Sequence, residues 1–223
     1  MDELIRNIAV YALPVLFAIT LHEAAHAYAA RFFGDNTAYA AGRMSLNPLK
    51  HVDPFGTILM PLALYLTTGF VFGYAKPVPV DFARLNNPKR DMAWVALAGP
   101  GANFVMALMW LVFGYLLAIF HVTELFPHKV ALAGLFANLL MFAFNLLPLP
   151  PLDGSRVVMS LLPNRLAYKY ARLEPYGIFI LLGLLVLSRY GFPNLLGFWI
   201  SPVMAFGDYV LRLIASPLSL FVN

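Results

Sequence analysis

The sequence predicts an all-α polytopic membrane protein with about five to six hydrophobic segments. Its 223 residues are 61% hydrophobic and 12% charged, whereas a soluble domain carries about twice that charged fraction. The mean hydropathy of +0.75 points the same way. The apolar residues also fall into runs, and a spanning helix needs about 20 such residues in succession.

Six apolar segments are predicted, at 4–33, 56–72, 93–120, 130–147, 178–187 and 195–220. The first is too long and too polar at its end for a cleaved signal peptide. Pro61 and Gly69 weaken the second, and Pro202 and Pro217 interrupt the last. We therefore expect some of these segments to be re-entrant or broken, and others to be full spans.

One integral-membrane domain is expected over residues 1–223, with a core at 4–162 and accessory C-terminal helices at 175–220. The lipid bilayer is its expected surroundings. The net charge of +4 is small and makes no case for nucleic acid as a partner. With no Cys in the chain, disulfides and thiolate metal sites are excluded.

Positive charge predicts how the segments are oriented. Basic residues flank both ends of 56–72, namely Arg31, Arg43, Lys50, Lys76, Arg84, Lys89 and Arg90. A re-entrant 56–72 stretch would keep all seven on one side, which the positive-inside rule makes cytoplasmic. The loop at 121–128 has no Lys or Arg, as expected outside. We expect a bacterial plasma-membrane protein with its N-terminus outside.

The motif His22-Glu23-Ala24-Ala25-His26 lies inside the first apolar segment. On a helix, His22 and His26 share a face, where two imidazoles can bind one zinc ion while Glu23 serves as a general base. Ionisable groups are costly at membrane depth and functional by default. The alternative is a buried helix with satisfied histidines, which leaves Glu23 unexplained.

A catalytic zinc needs a third protein ligand, and Asp153 is the best candidate. It follows the Pro-rich break at 148–151, and such a break is tolerable in a membrane only if it is buried or lines a wet cavity. The alternative reading of Asp153 is an N-cap for the helix that follows.

Other His and Asp residues are weaker candidates for the third ligand. His51 and Asp53 lie in a polar loop, where Asp53-Pro54 is typical of a turn. His121 and His128 belong to the loop on the opposite side of the membrane in this topology. The first motif and Asp153, by contrast, both lie towards the cytoplasmic ends of their helices.

Two motifs together resemble the signature of the site-2 proteases, which are intramembrane zinc metalloproteases. These are the motif at 22–26 and Asn145-Leu146-Leu147-Pro148-Leu149-Pro150-Pro151-Leu152-Asp153-Gly154. Gly99-Pro100-Gly101-Ala102-Asn103 similarly resembles a Gly-Pro-x-x-Asn motif of that family. The resemblance covers residues 4 to 162, and the chain looks like a minimal member without a PDZ or CBS domain.

This resemblance implies a three-helix catalytic core and zinc-dependent cleavage of transmembrane protein or peptide substrates near the cytoplasmic side. It implies one Zn²⁺ per chain, held by His22, His26 and Asp153, with Glu23 as the catalytic base. The product would be a signalling fragment or a cleared membrane peptide.

Four residues are predicted on the substrate side. Asn145 could compete for the backbone of an unwound substrate or join helices by hydrogen bonds, and Asn103 has the same two interpretations. Residues 74–81 are typical of a small membrane-associated β element, whose edge at Val78 and Val80 could pair with substrate. An edge strand protected against aggregation is the alternative.

Two other functions fit parts of this pattern. A metal-ion transporter or metal-binding membrane protein could use the same three ligands, but the outward halves of 93–120 and 130–147 offer no polar path. A degenerate protease acting as a scaffold would have no use for the retained Glu23.

Overall fold

The computed structural model describes residues 2–60, 75–189 and 195–221. All regular secondary structure in these residues is helical. We number the α-helices of the described ranges α1 (Asp2–Phe32), α2 (Thr37–Ala40), α3 (Pro88–Ile119), α4 (Leu125–Asn145), α5 (Asp153–Leu161), α6 (Asn164–Ala171), α7 (Gly177–Arg189) and α8 (Leu195–Ser219). Short turns occur at Pro48–Lys50, Pro54–Leu59, Phe82–Arg84 and Glu174–Tyr176.

Five helical stretches in the described residues are long and apolar enough to cross a membrane. They are Ile8–Phe32, Pro88–Ile119, Leu125–Asn145, Asn164–Leu187 and Leu195–Ser219. The predicted all-α polytopic class is confirmed. Most of the predicted re-entrant stretch at 56–72 lies outside the described residues, which stop at 60 and resume at 75.

The sequence predicts that prolines interrupt the last helix, but the structure shows no interruption there. Helix α8 continues through Pro202 and Pro217, and α1 likewise continues through Pro14. A proline removes one backbone donor, whereas leaving the helix within lipid would expose many unpaired backbone groups. The helical path is therefore retained at all three prolines.

Three helices form the centre of the fold, since α1, α3 and α4 each pack against the other two. His26 near the end of α1 reaches the Val95 carbonyl, while Ala18, two turns earlier, meets Asn103 further along α3. Helices α1 and α3 are therefore antiparallel. Asn103 also meets Asn138 of α4, and Val10 of α1 clusters with Val130 of α4, so α4 runs parallel to α1.

Helix α8 covers one side of this bundle through an apolar cluster with α3 and α4. The buried residues of that cluster are Ala107, Leu111, Leu135, Leu139, Leu211 and Ala215. Large apolar side chains elsewhere point outward, and Met109, Phe136 and Phe206 are each more than half exposed. An apolar outer surface of this kind is typical of contact with lipid.

The connection between α1 and α3 begins and ends at the same end of the bundle. Gly34, with φ of 108°, turns the chain out of α1. The Asn86 N–H then donates to the Phe33 carbonyl at 2.7 Å, which ties the end of α1 to the start of α3. Inside this connection, the Lys76 N–H donates to the His51 carbonyl at 2.9 Å.

The predicted β element at 74–81 is not supported, because residues 75–81 contain no strand. Three of their N–H groups donate to acceptors at this end of the bundle instead. The pairs are Lys76 to the His51 carbonyl, Val78 to Glu23 and Asp81 to Asp35. The two prolines between them have no N–H to offer. Side chains and a loop carbonyl thus replace the neighbouring strand.

Candidate metal centre

Three potential ligand atoms meet where the end of α1 faces the start of α5. His22 Nε2 and His26 Nε2 lie 3.1 Å apart. Asp153 Oδ2 lies 3.2 Å from the first and 3.3 Å from the second. Among the described residues, this is the group of three His, Asp or Glu side chains that could share one metal ion.

The break between α4 and α5 brings Asp153 to the histidines. Helix α4 ends at Asn145, and Asp153 is the first residue of α5. The N-cap position belongs to Leu152, so the alternative reading of Asp153 as an N-cap is not supported. A Cβ at Gly154 would lie 2.3 Å from the Leu146 carbonyl oxygen. Only glycine therefore lets α5 start this close to the end of α4.

Helix α3 forms the wall behind the two imidazoles, and its closest point is Gly99. A Cβ there would lie 2.3 Å from His26 Nε2 and 2.7 Å from His22 Cε1. The second glycine of the same motif, Gly101, would meet no atom within 4 Å. Gly99 alone of this pair is required for the close approach of α3 to the centre.

The hydrogen bonds behind the histidines determine which ring nitrogen carries the proton. His26 Nδ1 lies 2.8 Å from the Val95 carbonyl, which can only accept, so Nδ1 must donate. His22 Nδ1 lies 2.6 Å from Asn103 Oδ1 and donates in the same way. In neutral imidazoles both Nε2 atoms are then bare and face Asp153.

When both imidazoles are neutral, three lone pairs converge without a proton between them. Asp153 Oδ2 is buried and receives no hydrogen bond, a costly arrangement unless a cation lies among the three atoms. Zinc bound tetrahedrally at about 2.0–2.2 Å would space its ligands about 3.3–3.6 Å apart. The observed separations of 3.1, 3.2 and 3.3 Å fit that ion.

Positive charge at this centre also keeps Asp153 ionised. Burial alone would raise the pKa of its carboxyl. If the imidazoles of His26 and His22 are protonated, their attraction for the carboxylate outweighs burial and holds the pKa of Asp153 below its usual range. A bound metal ion would supply the same charge without protonating the histidines.

Glu23 lies next to the ligands and is held from the other side. It is half-buried and close enough to His26 to interact with it electrostatically. Its Oε2 accepts the N–H of Val78 at 2.8 Å. The Val78 side chain is itself buried against Ala27 and Ala38. The segment at 75–81 thus orients the carboxylate.

The other candidates for the third metal ligand lie away from the two histidines of the centre. His51 is buried, and its Nε2 bonds the Ser45 carbonyl at 2.7 Å. Asp53 accepts the Gly56 N–H, as expected for a turn. His121 and His128 flank the connection between α3 and α4, at the far end of the bundle from the centre.

The predicted substrate residues have different surroundings. Asn103 is fully buried and bonded to His22, so direct contact with substrate is not supported. Val78 is buried with its N–H on Glu23, and Val80 packs against other side chains, so neither has the free strand edge expected of it. Asn145 is half-buried and donates to the Met141 carbonyl, and its substrate role stays a prediction.

Sequence reasoning missed Asn138, a fully buried residue of α4 that donates to Gly134 and accepts from Asn103. An Asn inside an apolar span, seven residues before Asn145, was the available signal. It also missed an ion pair on α8, where Arg212 Nε lies 2.7 Å from Asp208 Oδ2.

Comparison with known proteins agrees with this centre. Residues 10–130 match the sequence profile of peptidase family M50. The chain belongs to peptidase family M50. This M50 chain is 39% identical over 179 residues to YwhC of Bacillus subtilis (strain 168), by name a presumed zinc metalloprotease, and the match covers 78% of each chain.

Two mycobacterial M50 relatives, both called Rip2 and named in the same way, are more distant. The one from Mycolicibacterium smegmatis (strain ATCC 700084 / mc(2)155) is 29% identical over 88% of this chain and 74% of its own. The one from Mycobacterium tuberculosis (strain ATCC 25618 / H37Rv) is 31% identical over 72% and 54%. No solved structure matches the chain significantly. The site-2 protease family predicted from the motifs is confirmed.

Proposed function

We propose that this M50 protein is a zinc-dependent intramembrane endopeptidase that hydrolyses transmembrane protein or peptide substrates near the cytoplasmic side. The observation that carries the proposal is the meeting of three potential ligand atoms on His22, His26 and Asp153, 3.1–3.3 Å apart. They lie next to a carboxylate that is not part of the group. A catalytic zinc site has this composition, with three ligands and a base.

One zinc ion per chain would be held by His22, His26 and Asp153. When bound, it supplies Lewis-acid polarisation of a carbonyl and lowers the pKa of a water molecule. The protein's own residues keep the ligands in one orientation. Val95 and Asn103 accept the Nδ1 hydrogens of the two histidines, so both Nε2 atoms stay directed at Asp153.

Glu23 moves the proton. It takes a proton from the attacking water and delivers it to the leaving amine. Its Oε2 is engaged by the Val78 N–H, which leaves Oε1 for the proton. That backbone contact fixes the carboxylate while its charge changes.

The surroundings favour a membrane substrate. His22 and His26 are 5% and 9% exposed and lie within the apolar stretch Ile8–Phe32. A substrate helix hides its carbonyls in its own hydrogen bonds and has to be locally unwound. Asn145, at the end of α4, keeps a side-chain carbonyl that could accept a freed substrate N–H. Membership in a peptidase family favours hydrolysis over the alternative of metal transport.

The test is cleavage of a membrane-embedded peptide by purified protein reconstituted in liposomes. Products are mapped by mass spectrometry before chelation, after zinc removal and after zinc is restored. We expect cleavage within the apolar part of the peptide that stops on chelation and returns with zinc. Equal cleavage with and without metal would overturn the proposal, as would zinc transport across the liposome without cleavage.

A further inference from the structure

A chain of hydrogen bonds crosses the three-helix centre from α4 to α1. The Asn138 Nδ2 donates to the Gly134 carbonyl at 2.9 Å, and Asn138 Oδ1 accepts from Asn103 Nδ2 at 3.0 Å. Asn103 Oδ1 then accepts from His22 Nδ1 at 2.6 Å. Both amides are fully buried. This series of hydrogen bonds therefore runs from a backbone carbonyl to a candidate metal ligand through two side chains.

Every bond in this chain has only one possible direction. The Gly134 carbonyl can only accept, so the NH₂ of Asn138 faces it and the Asn138 oxygen faces Asn103. The NH₂ of Asn103 must then face Asn138, and a second acceptor, the Ala18 carbonyl at 3.1 Å, requires the same orientation. The oxygen of Asn103 is left for His22.

We propose that Asn138 is a positioning residue for the metal centre, which sets the tautomer of His22 by fixing the amide of Asn103. The oxygen of Asn103 requires a hydrogen on His22 Nδ1, and a neutral imidazole then has none on Nε2. This inference rests on the proposed zinc site, since a bare Nε2 matters because it is the atom offered to the ion.

The geometry makes this dependence strong. Asn103 is fully buried, and a misdirected hydrogen bond is costly in a low-dielectric interior. Without Asn138, the Ala18 carbonyl and a weak contact to Met141 Sδ are left to oppose a half-turn of the Asn103 amide. After that half-turn, NH₂ would face His22 Nδ1, which favours a hydrogen on Nε2 and blocks the ligand atom. His26 is independent of this series of hydrogen bonds, because the Val95 backbone carbonyl holds it.

The experiment uses Asn138→Leu, similar in size but without hydrogen-bonding groups, and Asn138→Ala, which adds no bulk. Zinc affinity is measured by competition with a chelator. The ring nitrogens of metal-free, ¹⁵N-histidine-labelled protein are classified by NMR as protonated or bare. We expect weaker affinity in both variants, by up to about 10- to 100-fold, which is the cost of losing a ligand's own hydrogen-bond partner. His22 Nε2 should gain proton character while His26 stays unchanged as an internal reference.

Two controls separate orientation from packing. Neutral Asp in Asn138→Asp still offers a donor to Gly134 and an acceptor to Asn103, so it should retain most of the affinity. Met141→Leu removes only a weak sulfur contact to Asn103 at 4.0 Å and should bind zinc normally. Wild-type affinity in both Leu and Ala variants, with His22 Nε2 still bare, would overturn the inference. So would equal losses in Asn138→Asp and Asn138→Leu.

The outcome is separable from that of the proposed function. If wild-type protein binds no zinc, the metal site fails, whereas the NMR comparison still decides whether Asn138 sets the tautomer. If the wild type binds zinc and cleaves peptides but the variants do so equally well, the proposed function stands and the positioning role fails.

Discussion

The four residues of the centre differ in the hydrogen-bond partners of their side chains. The two histidines belong to one motif but have different partners: His26 is held by the Val95 carbonyl, and His22 by the Asn103 side chain. Glu23 has one oxygen on the Val78 N–H, and Asp153 Oδ2 receives no donor at all. These partners distinguish the three proposed ligands from the proposed base.

Replacing Glu23 by Gln tests the base at this scale. We expect Glu23→Gln to keep zinc, because its amide oxygen can still accept the Val78 N–H. Cleavage should fall by about 10²- to 10⁴-fold, because the amide cannot take the proton. Metal analysis and initial rates on the same preparation check this. Turnover close to wild type would exclude Glu23 as the base.

Removing the third ligand is a separate prediction. Asp153→Ala should weaken zinc binding by more than the roughly 10- to 100-fold cost of losing a ligand's hydrogen-bond partner. His121→Ala is the matched control, since His121 lies at the far end of the bundle and should leave zinc binding unchanged. Chelator competition measures both. Full affinity in Asp153→Ala would mean that the third ligand is another residue.

At the scale of elements, the centre depends on how closely α3 approaches α1. A methyl group at Gly99 would occupy the space of the two imidazoles, whereas the same group at Gly101 meets nothing within 4 Å. Two glycines of one motif therefore have different roles, and they provide a matched pair for experiment.

Gly99→Ala should displace His22 and His26 and weaken zinc binding, and it should slow cleavage by about 100-fold, the order of cost of a 1 Å misplacement. Gly101→Ala should bind zinc as wild type does, because its methyl group points into open space. Equal affinities for the two variants, measured by chelator competition, would contradict the close approach of α3.

The helices could largely be predicted from sequence, because hydropathy is a local signal. The centre could be predicted because its ligands lie in two local motifs, at 22–26 and 145–154. Residues 75–81 could not, since the partner of Val78 is a carboxylate 55 residues earlier that no local pattern reveals. Asn138 was missed because its role depends on the register between α3 and α4. Pro202 predicts a break in the last apolar segment, but lipid favours a continued helix over unpaired backbone groups.

At the scale of the whole molecule, the connection between α1 and α3 leaves and rejoins one end of the bundle. The contacts of Asn86 with Phe33 and of Lys76 with His51 join its described parts. The candidate ligand atoms in α1 and at the start of α5 meet because α3 and α4 together return the chain to that end.

We therefore predict that Asn47 and Asn86, both exposed, lie on one face of the membrane. Single cysteines at these positions give clean labels because the chain has none. An impermeant thiol reagent should label both from the same side of sealed, oriented vesicles. Labelling from opposite sides would contradict the topology and the shared metal centre with it.

The central claim is that His22, His26 and Asp153 hold one zinc ion, and X-ray absorption at the zinc edge of purified protein tests it most directly. We predict one zinc per chain with four nitrogen or oxygen neighbours at about 2.0–2.2 Å. Two imidazoles should contribute, and one of them should be lost in His22→Ala. Protein that takes up no zinc, or a zinc spectrum without imidazole that is unchanged in His22→Ala, would contradict the account.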